Sequence, residues 1–303
     1  MRIGIDLGGT KIAAVAIDGA GHDRARTRLA TPRDYGQTLD AVSRIVAALE
    51  HEAGSPATGV GISLPGVVDG PGGRVRAVNL PWLDERPLAG DLEATLGRPV
   101  RLANDANCFV LSEAMDGAAA GAAVVFGIVL GTGAGGGLVV DGRIVAGANA
   151  LSGEWGHTPL PWRCDDDGPP RLCGCGRLGC VETVLCGEGL ARLYALVSGG
   201  APLAPPDIVR RAAMGEAAAV ETLARHADAL ARALAVIIAI VDPDIIVVGG
   251  GLSGLPDLTE MVTARWGAHA LVAAPRTRLV KARHGGDSGV RGAAWLWPGP
   301  KAC

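Results

Sequence analysis

The residues best placed to do chemistry are Asn104 and Asp105, which end the apolar run Pro99 to Ala103 and precede a helical pattern carrying Phe109, Val110, Ala114 and Met115 on one face. A carboxylate at the carboxyl end of a strand is where an α/β protein exposes a reactive group. The competing reading is that Asp105 caps the helix that follows, a position Asp and Asn favour. A second constellation lies further on. His157, Cys173, Cys175 and Cys180 offer one imidazole and three thiols, the donor set of a closed, structural zinc site. The Cys173-x-Cys175 spacing is tighter than that of a finger, and the histidine comes first. Cross-linking these four would hold Glu154 and Glu182 beside one another, and paired carboxylates with an imidazole are good acceptors for sugar hydroxyls.

Two glycine turns could hold phosphates. Asp6 is followed by Gly8-Gly9-Thr10-Lys11, whose bare backbone N–H groups could face a phosphate, with Asp6 near a phosphate-bound cation. An ordinary tight hairpin turn is the alternative, and the spacing is not that of a Walker A loop. The apolar run Val124 to Leu130 leads into Gly131-Thr132-Gly133-Ala134-Gly135-Gly136-Gly137, read as a turn, with Leu138 to Val140 resuming as a strand. A Gly-Thr hairpin in each half amounts to an internal duplication that would grip a nucleotide's phosphates from both sides. Gly249-Gly250-Gly251 follows the buried run Ile245 to Val248, where a flat ligand such as adenine could lie against backbone.

The elements that must position these groups follow from periodicity. Strands are expected at Arg2 to Leu7, Ile12 to Ile17, Val60 to Leu64 and Arg143 to Val145. Helices are expected at Gln37 to Glu50, Leu88 to Leu96 and Glu216 to Ile240, with a terminal helix at Val290 to Trp297. Val67 to Gly70 begins an excursion and Asn79 to Trp82 lies in a loop. The 303 residues suit two domains, and 49% hydrophobic with 19% charged residues describes a soluble globular chain. A net charge of -3 leaves no basic footprint for nucleic acid and no polybasic patch for a membrane. No signal peptide or spanning run is expected, so the reading is cytoplasmic. Cys108, Cys164, Cys186 and Cys303 show no paired spacing.

Together these motifs resemble the ROK family of sugar kinases over essentially the whole chain. The resemblance rests on Asp6-x-Gly8-Gly9-Thr10-Lys11, Asn104-Asp105-Ala106-Asn107, Leu130 to Gly137, Gly153-Glu154-x-Gly156-His157 and the run Cys173 to Glu182. It implies a two-lobed, actin-like and ribonuclease H-like α/β fold of the hexokinase type, with a central cleft and a small zinc loop. Residues 1–117 would form the small lobe, completed by a C-terminal helix near 290–303, and 118–289 the large lobe. The implied reaction moves the ATP γ-phosphoryl group to a sugar 6-hydroxyl, with N-acetyl-D-glucosamine the expected acceptor and glucose, mannose, fructose or N-acetylmannosamine the alternatives.

By the same resemblance Asp105 is the base. Gly66, Asn79, Asn104, Glu154, His157 and Glu182 hold the sugar, His157 serving zinc and sugar through one ring nitrogen each. Asp6, Gly8, Gly9, Thr10 and Lys11 place Mg²⁺-phosphate, Thr132, Gly133, Gly135, Gly136 and Gly137 the phosphates, and Gly249, Gly250 and Gly251 the adenosine. The partners implied are ATP, the sugar and a second copy in a homodimer. Relatives that bind DNA carry an added winged helix, for which a first strand beginning at Ile3 leaves no room. Cys186, where the family usually has Ser, and the stretch Pro159 to Pro170 depart from the pattern and border the expected sugar site.

Overall fold

The computed structural model describes residues 1–69, 74–77 and 79–297. The chain opens with β1 (Arg2–Leu7), β2 (Lys11–Ile17) and β3 (Asp23–Ala30), followed by α1 (Tyr35–Ala53) and β4 (Val60–Leu64). Then come β5 (Val67–Asp69), β6 (Arg74–Arg76), α2 (Leu88–Leu96), β7 (Val100–Asn104) and α3 (Asp105–Met115). The second half runs β8 (Val124–Leu130), β9 (Ala134–Val140), β10 (Arg143–Ile144), α4 (Glu182–Leu185), α5 (Gly187–Ser198), α6 (Pro205–Ala213) and α7 (Ala217–Val241). It ends with β11 (Ile245–Gly249), α8 (Leu258–Trp266), β12 (Arg278–Lys281) and α9 (Ser288–Trp295).

The architecture is α/β with the same plan twice. One sheet has the order β3-β2-β1-β4-β7 and the other β10-β9-β8-β11-β12, while β5 and β6 pair separately. In the first sheet β1 is antiparallel to β2 and parallel to β4, which is in turn parallel to β7. In the second, β11 lies parallel to both β8 and β12. The duplication inferred from two Gly-Thr hairpins is therefore present in strand order.

By its contacts the chain forms two compact units. One comprises Met1–Gly121, Leu138–Ser152 and the segment from His284 on, and the other Ala122–Gly137 with Gly153–Arg283. The segment Leu138–Ser152 belongs to the first unit, a return not anticipated from the sequence. Of the expected terminal helix, α9 is seen at Ser288–Trp295; the part beyond Trp297, Cys303 included, and Gly70 lie outside the described residues.

The core of the first unit is aliphatic. Ile3, Ile5 and Leu7 of β1 and Val60, Ile62 and Leu64 of β4 are fully buried, and α1 turns Ala41, Val42, Ile45, Val46 and Leu49 onto them. Asp34 caps α1 by accepting the Gln37 N–H at 2.9 Å, and Gly54 ends it at φ 67°. The α9 helix reaches this core through backbone contact. A Cβ at Gly4 would stand 2.1 Å from the Val290 oxygen, one at Gly61 1.8 Å from that of Ala293, and one at Gly292 1.7 Å from that of Cys108. These three positions must be glycine because any side chain would occupy backbone. Buried Glu113 then ties α3 to α9, accepting from the His284 N–H at 2.9 Å and the Ser288 hydroxyl at 3.0 Å.

In the second unit, Arg232 of α7 pins down the unusual stretch before the cysteines. Its side chain is buried, pairs with Asp167 and Asp228, and donates to the carbonyls of Pro161 and Trp162. No helix among the described residues is long and apolar enough to cross a membrane.

Candidate active site

In the first unit three adjacent parallel strands end in polar groups. Asp6 of β1 stands in register with Ser63 of β4, and Leu64 with Asn104 of β7. Burial holds the Asp6 carboxyl above the usual carboxylate range, while the Ser63 hydroxyl and the Lys11 ammonium pull the other way. A Cβ at Gly289 would lie 3.4 Å from Asp6 Oδ1, so the start of α9 closes over this carboxyl. The buried Cys108 thiol is pushed up by desolvation and by the nearby Asp6 and Asp105 charges, which puts both carboxylates in one neighbourhood.

The helix cap is Asn104, not Asp105. Asn104 Oδ1 accepts the N–H groups of Ala106 and Asn107 at 2.8 and 3.4 Å, and its Nδ2 donates to the Gly66 carbonyl at 3.0 Å. Asp105 is the first helical residue, exposed, with Oδ1 also 2.8 Å from the Ala106 N–H. The acid is therefore held at the mouth of the strand ends without serving as the cap. Gly66 sits at φ 152°, and a Cβ there would meet the Arg76 carbonyl at 2.4 Å. The backbone oxygen of Asn79 lies near Gly9, 3.7 Å from where a Cβ would be.

The first glycine turn is partly committed. The Gly8 N–H donates to Lys11 O at 3.1 Å, closing the hairpin, and Thr31 Oγ1 donates to Gly8 O at 2.6 Å. The Gly8 amide, read as phosphate-facing, is thus used inside the turn. Among the described residues Gly9 and Thr10 have no backbone acceptor, which leaves their amides available.

The second turn is shorter than expected. Gly131 N–H donates to Gly133 O at 2.9 Å, and β9 begins at Ala134, so Gly135, Gly136 and Gly137 are strand residues. Packing requires glycine at Gly136. The Trp155 indole donates to the Gly135 carbonyl at 2.8 Å, and a Cβ at Gly136 would lie 2.7 Å from both Gly127 O and Trp155 Cδ1. Gly250 is similar: at φ 82°, its Cβ would stand 2.3 Å from Leu130 O.

The second unit also gathers the Cys/His cluster. The four ligand atoms of His157, Cys173, Cys175 and Cys180 lie within 4.8 Å of one another. Cys173 Sγ is 3.4 Å from His157 Nδ1, and the sulfurs of Cys175 and Cys180 are 3.6 Å apart. These match the edges of a tetrahedron of about 2.3 Å Zn–S and 2.0–2.1 Å Zn–N bonds, so the residues fit the ion. Desolvation, with the Cys175 and Cys173 thiols beside it, pushes the Cys180 thiol up to about 12. A cation at the centre would relieve that crowding.

Both expected carboxylates flank the cluster. His157 Nε2, the nitrogen turned away from it, is 4.0 Å from Glu154 Oε2, and Glu182 Oε1 is 3.5 Å from Cys173 Sγ. Glu182 Oε2 accepts the Ala134 N–H at 3.0 Å.

A cavity of about 750 Å³ in the same unit brings Thr132 and Gly251 together, although the sequence places them on separate elements. It also recruits Glu188, Pro205, Val209 and Leu255, which sequence reasoning did not find. The signal for them was Pro205-Pro206 opening α6, where proline is favoured in the first helical turn. Glycine backbone on one side and apolar side chains on the other make a slot for a flat ring.

The ROK family profile matches residues 2–299. The N-acetyl-D-glucosamine kinase of Shigella flexneri serotype 5b (strain 8401) is 42% identical over 301 residues, which is 98% of this chain and 99% of that protein. The crystal structure of a ROK hexokinase from Thermus thermophilus matches with a TM-score of 0.86 at 32% identity, over 97% of this chain and 96% of that one. A ROK family glucokinase from Streptomyces griseus, in complex with glucose and AMPPNP, matches with a TM-score of 0.73 at 31% identity, over 97% and 98% of the two chains.

Proposed function

The chain belongs to the ROK family, and from that premise we propose that it transfers the γ-phosphoryl group of ATP to the 6-hydroxyl of N-acetyl-D-glucosamine. The observation that carries this reading is the 42% identity to an N-acetyl-D-glucosamine kinase over 98% of the chain. The first unit takes the role expected of residues 1–117 and the second that expected of 118–289.

Asp105 accepts the hydroxyl proton as attack begins, a task suited to an exposed carboxylate at the start of a helix. Asn104 retains one amide hydrogen after bonding Gly66 and offers it to a sugar hydroxyl. Gly66, Asn79, Glu154 and Glu182 bind other hydroxyls, together with His157 through Nε2. Thr132 and Gly133 hold phosphate oxygens, and Gly251 with Pro205, Val209 and Leu255 encloses the adenine.

Asp6 and Thr10 would hold Mg²⁺; a buried carboxyl kept above its usual range fits a cation partner. When bound, the ion neutralises charge on the transferring phosphates. Zinc at His157, Cys173, Cys175 and Cys180 would fix the irregular backbone that carries Glu154 and Glu182. A homodimer in the cytoplasm accords with this reading, the exposed Trp162, Leu172 and Leu178 offering apolar surface to a second copy.

The test is ADP formation from ATP across N-acetyl-D-glucosamine, glucose, mannose, fructose and N-acetylmannosamine. N-acetyl-D-glucosamine is expected to lead in kcat/KM by about tenfold or more. Turnover of another sugar alone reassigns the acceptor, and no ADP with any of them overturns the kinase reading.

A further inference from the structure

The backbone around α4 ties the Cys/His loop to the turn before β9 at two points. Gly187, just past α4, donates its N–H to Gly131 O at 2.8 Å. Glu182, which opens α4 two residues after Cys180, accepts the Ala134 N–H at 3.0 Å through Oε2. The approach is close enough that a Cβ at Gly133 would stand 2.6 Å from that oxygen. The other carboxylate oxygen lies 3.5 Å from Cys173 Sγ. The turn so held carries Thr132, which lines the 750 Å³ cavity with Gly131, Gly187 and Gly251. A single carboxylate thus touches the cluster on one side and, on the other, the turn that carries the cavity-lining Thr132.

We propose that Glu182 is a positioning residue for the nucleotide, through which the Cys/His loop sets the Gly131–Gly133 turn. Sugar contact alone would not require it to accept the Ala134 amide or to exclude a side chain at Gly133. The inference rests on the kinase reading for the identity of the nucleotide. It has a separate consequence: the metal loop governs nucleotide affinity even when no sugar is present.

The experiment is calorimetric binding of the β,γ-imido analogue of ATP with Mg²⁺, without sugar, together with metal analysis of each protein. Glu182→Ala is expected to keep its metal and weaken nucleotide binding about five- to tenfold, the loss of a hydrogen bond to a charged acceptor. Glu182→Gln, which keeps one oxygen to accept the Ala134 N–H, should recover to within about twofold. Stripping the cluster's metal with a chelator that is removed before Mg²⁺ and nucleotide are added should weaken binding by the parent and add little to Glu182→Ala. The proposal is overturned if Glu182→Ala binds the analogue like the parent and loses only sugar affinity. It is equally overturned if Glu182→Gln brings no recovery or if chelation acts equally in both backgrounds. Failure of the kinase reading would show instead as no phosphoryl transfer to any sugar, whatever these affinities.

Discussion

Asn104 Oδ1 accepts the backbone N–H of Ala106 at 2.8 Å, so the first turn of α3 is closed by the residue before the acid. The two side chains can therefore be separated by substitution. Asp105→Asn keeps the shape and removes the proton acceptor; kcat should fall about 10²–10⁴-fold with little change in the urea midpoint. Asn104→Ala removes the cap and the link to Gly66, and should cost about 1–2 kcal/mol of stability as well as sugar affinity. Near-parental turnover in Asp105→Asn would falsify its role as base.

Much of this arrangement was legible in the sequence, and the omissions have physical causes. Residues β1, α1, β4 and β11 announce themselves because one-sided or complete burial writes a period into the chain. β3 does not: as an edge strand it carries Asp23, Arg24, Arg26 and Arg28, and such charges protect an edge while erasing the strand's apolar signal. The short edge strand β12 has only Leu279 buried and was missed likewise. Gly135 to Gly137 read as turn because glycine signals both a bend and a close approach, and at Gly136 Trp155 and Gly127 demand the latter. The cluster was legible because three thiols and an imidazole declare their chemistry by type. Glu182's bond to Ala134 was not, since it joins residues 48 positions apart.

The cluster makes a prediction about metal. Purified protein should carry close to one zinc per chain, and Cys175→Ser, at the exposed corner of the site, should lose it. Sugar affinity should fall with it, because Glu154 and Glu182 are carried by the loop the ion fixes. Metal analysis and sugar binding by calorimetry measure both, and unchanged zinc in the variant would refute the site.

His226 gives the protein an acid sensitivity unconnected with catalysis. The side chain is fully buried on α7, its Nε2 3.3 Å from Leu185 O, and desolvation pushes it down to about 4. An unfolded chain protonates this imidazole near its ordinary value of about 6.5 while the folded one does not, so stability rises with pH between those values. From about pH 6.5 down towards 4 the group should remove on the order of 1.4 kcal/mol per pH unit. His226→Gln, which can still donate to Leu185 O, should flatten that part of the profile. Urea unfolding across the range measures it; parallel profiles for parent and variant would show that another group is responsible.

Cys186, one of the two departures near the expected sugar site, is explained by the helix it starts. Its sulfur accepts the Gly189 N–H at 3.3 Å and caps α5. Sulfur is a weak acceptor, whereas a hydroxyl is among the preferred caps. Cys186→Ser should therefore raise stability by about 0.5 kcal/mol and Cys186→Ala lower it by about 1 kcal/mol, read from urea midpoints. Because the thiol is buried and already engaged with Gly189, neither change should alter the order of preference among sugars. A reordered preference in Cys186→Ser would mean that this side chain reaches the acceptor and that its capping bond gives way when sugar binds.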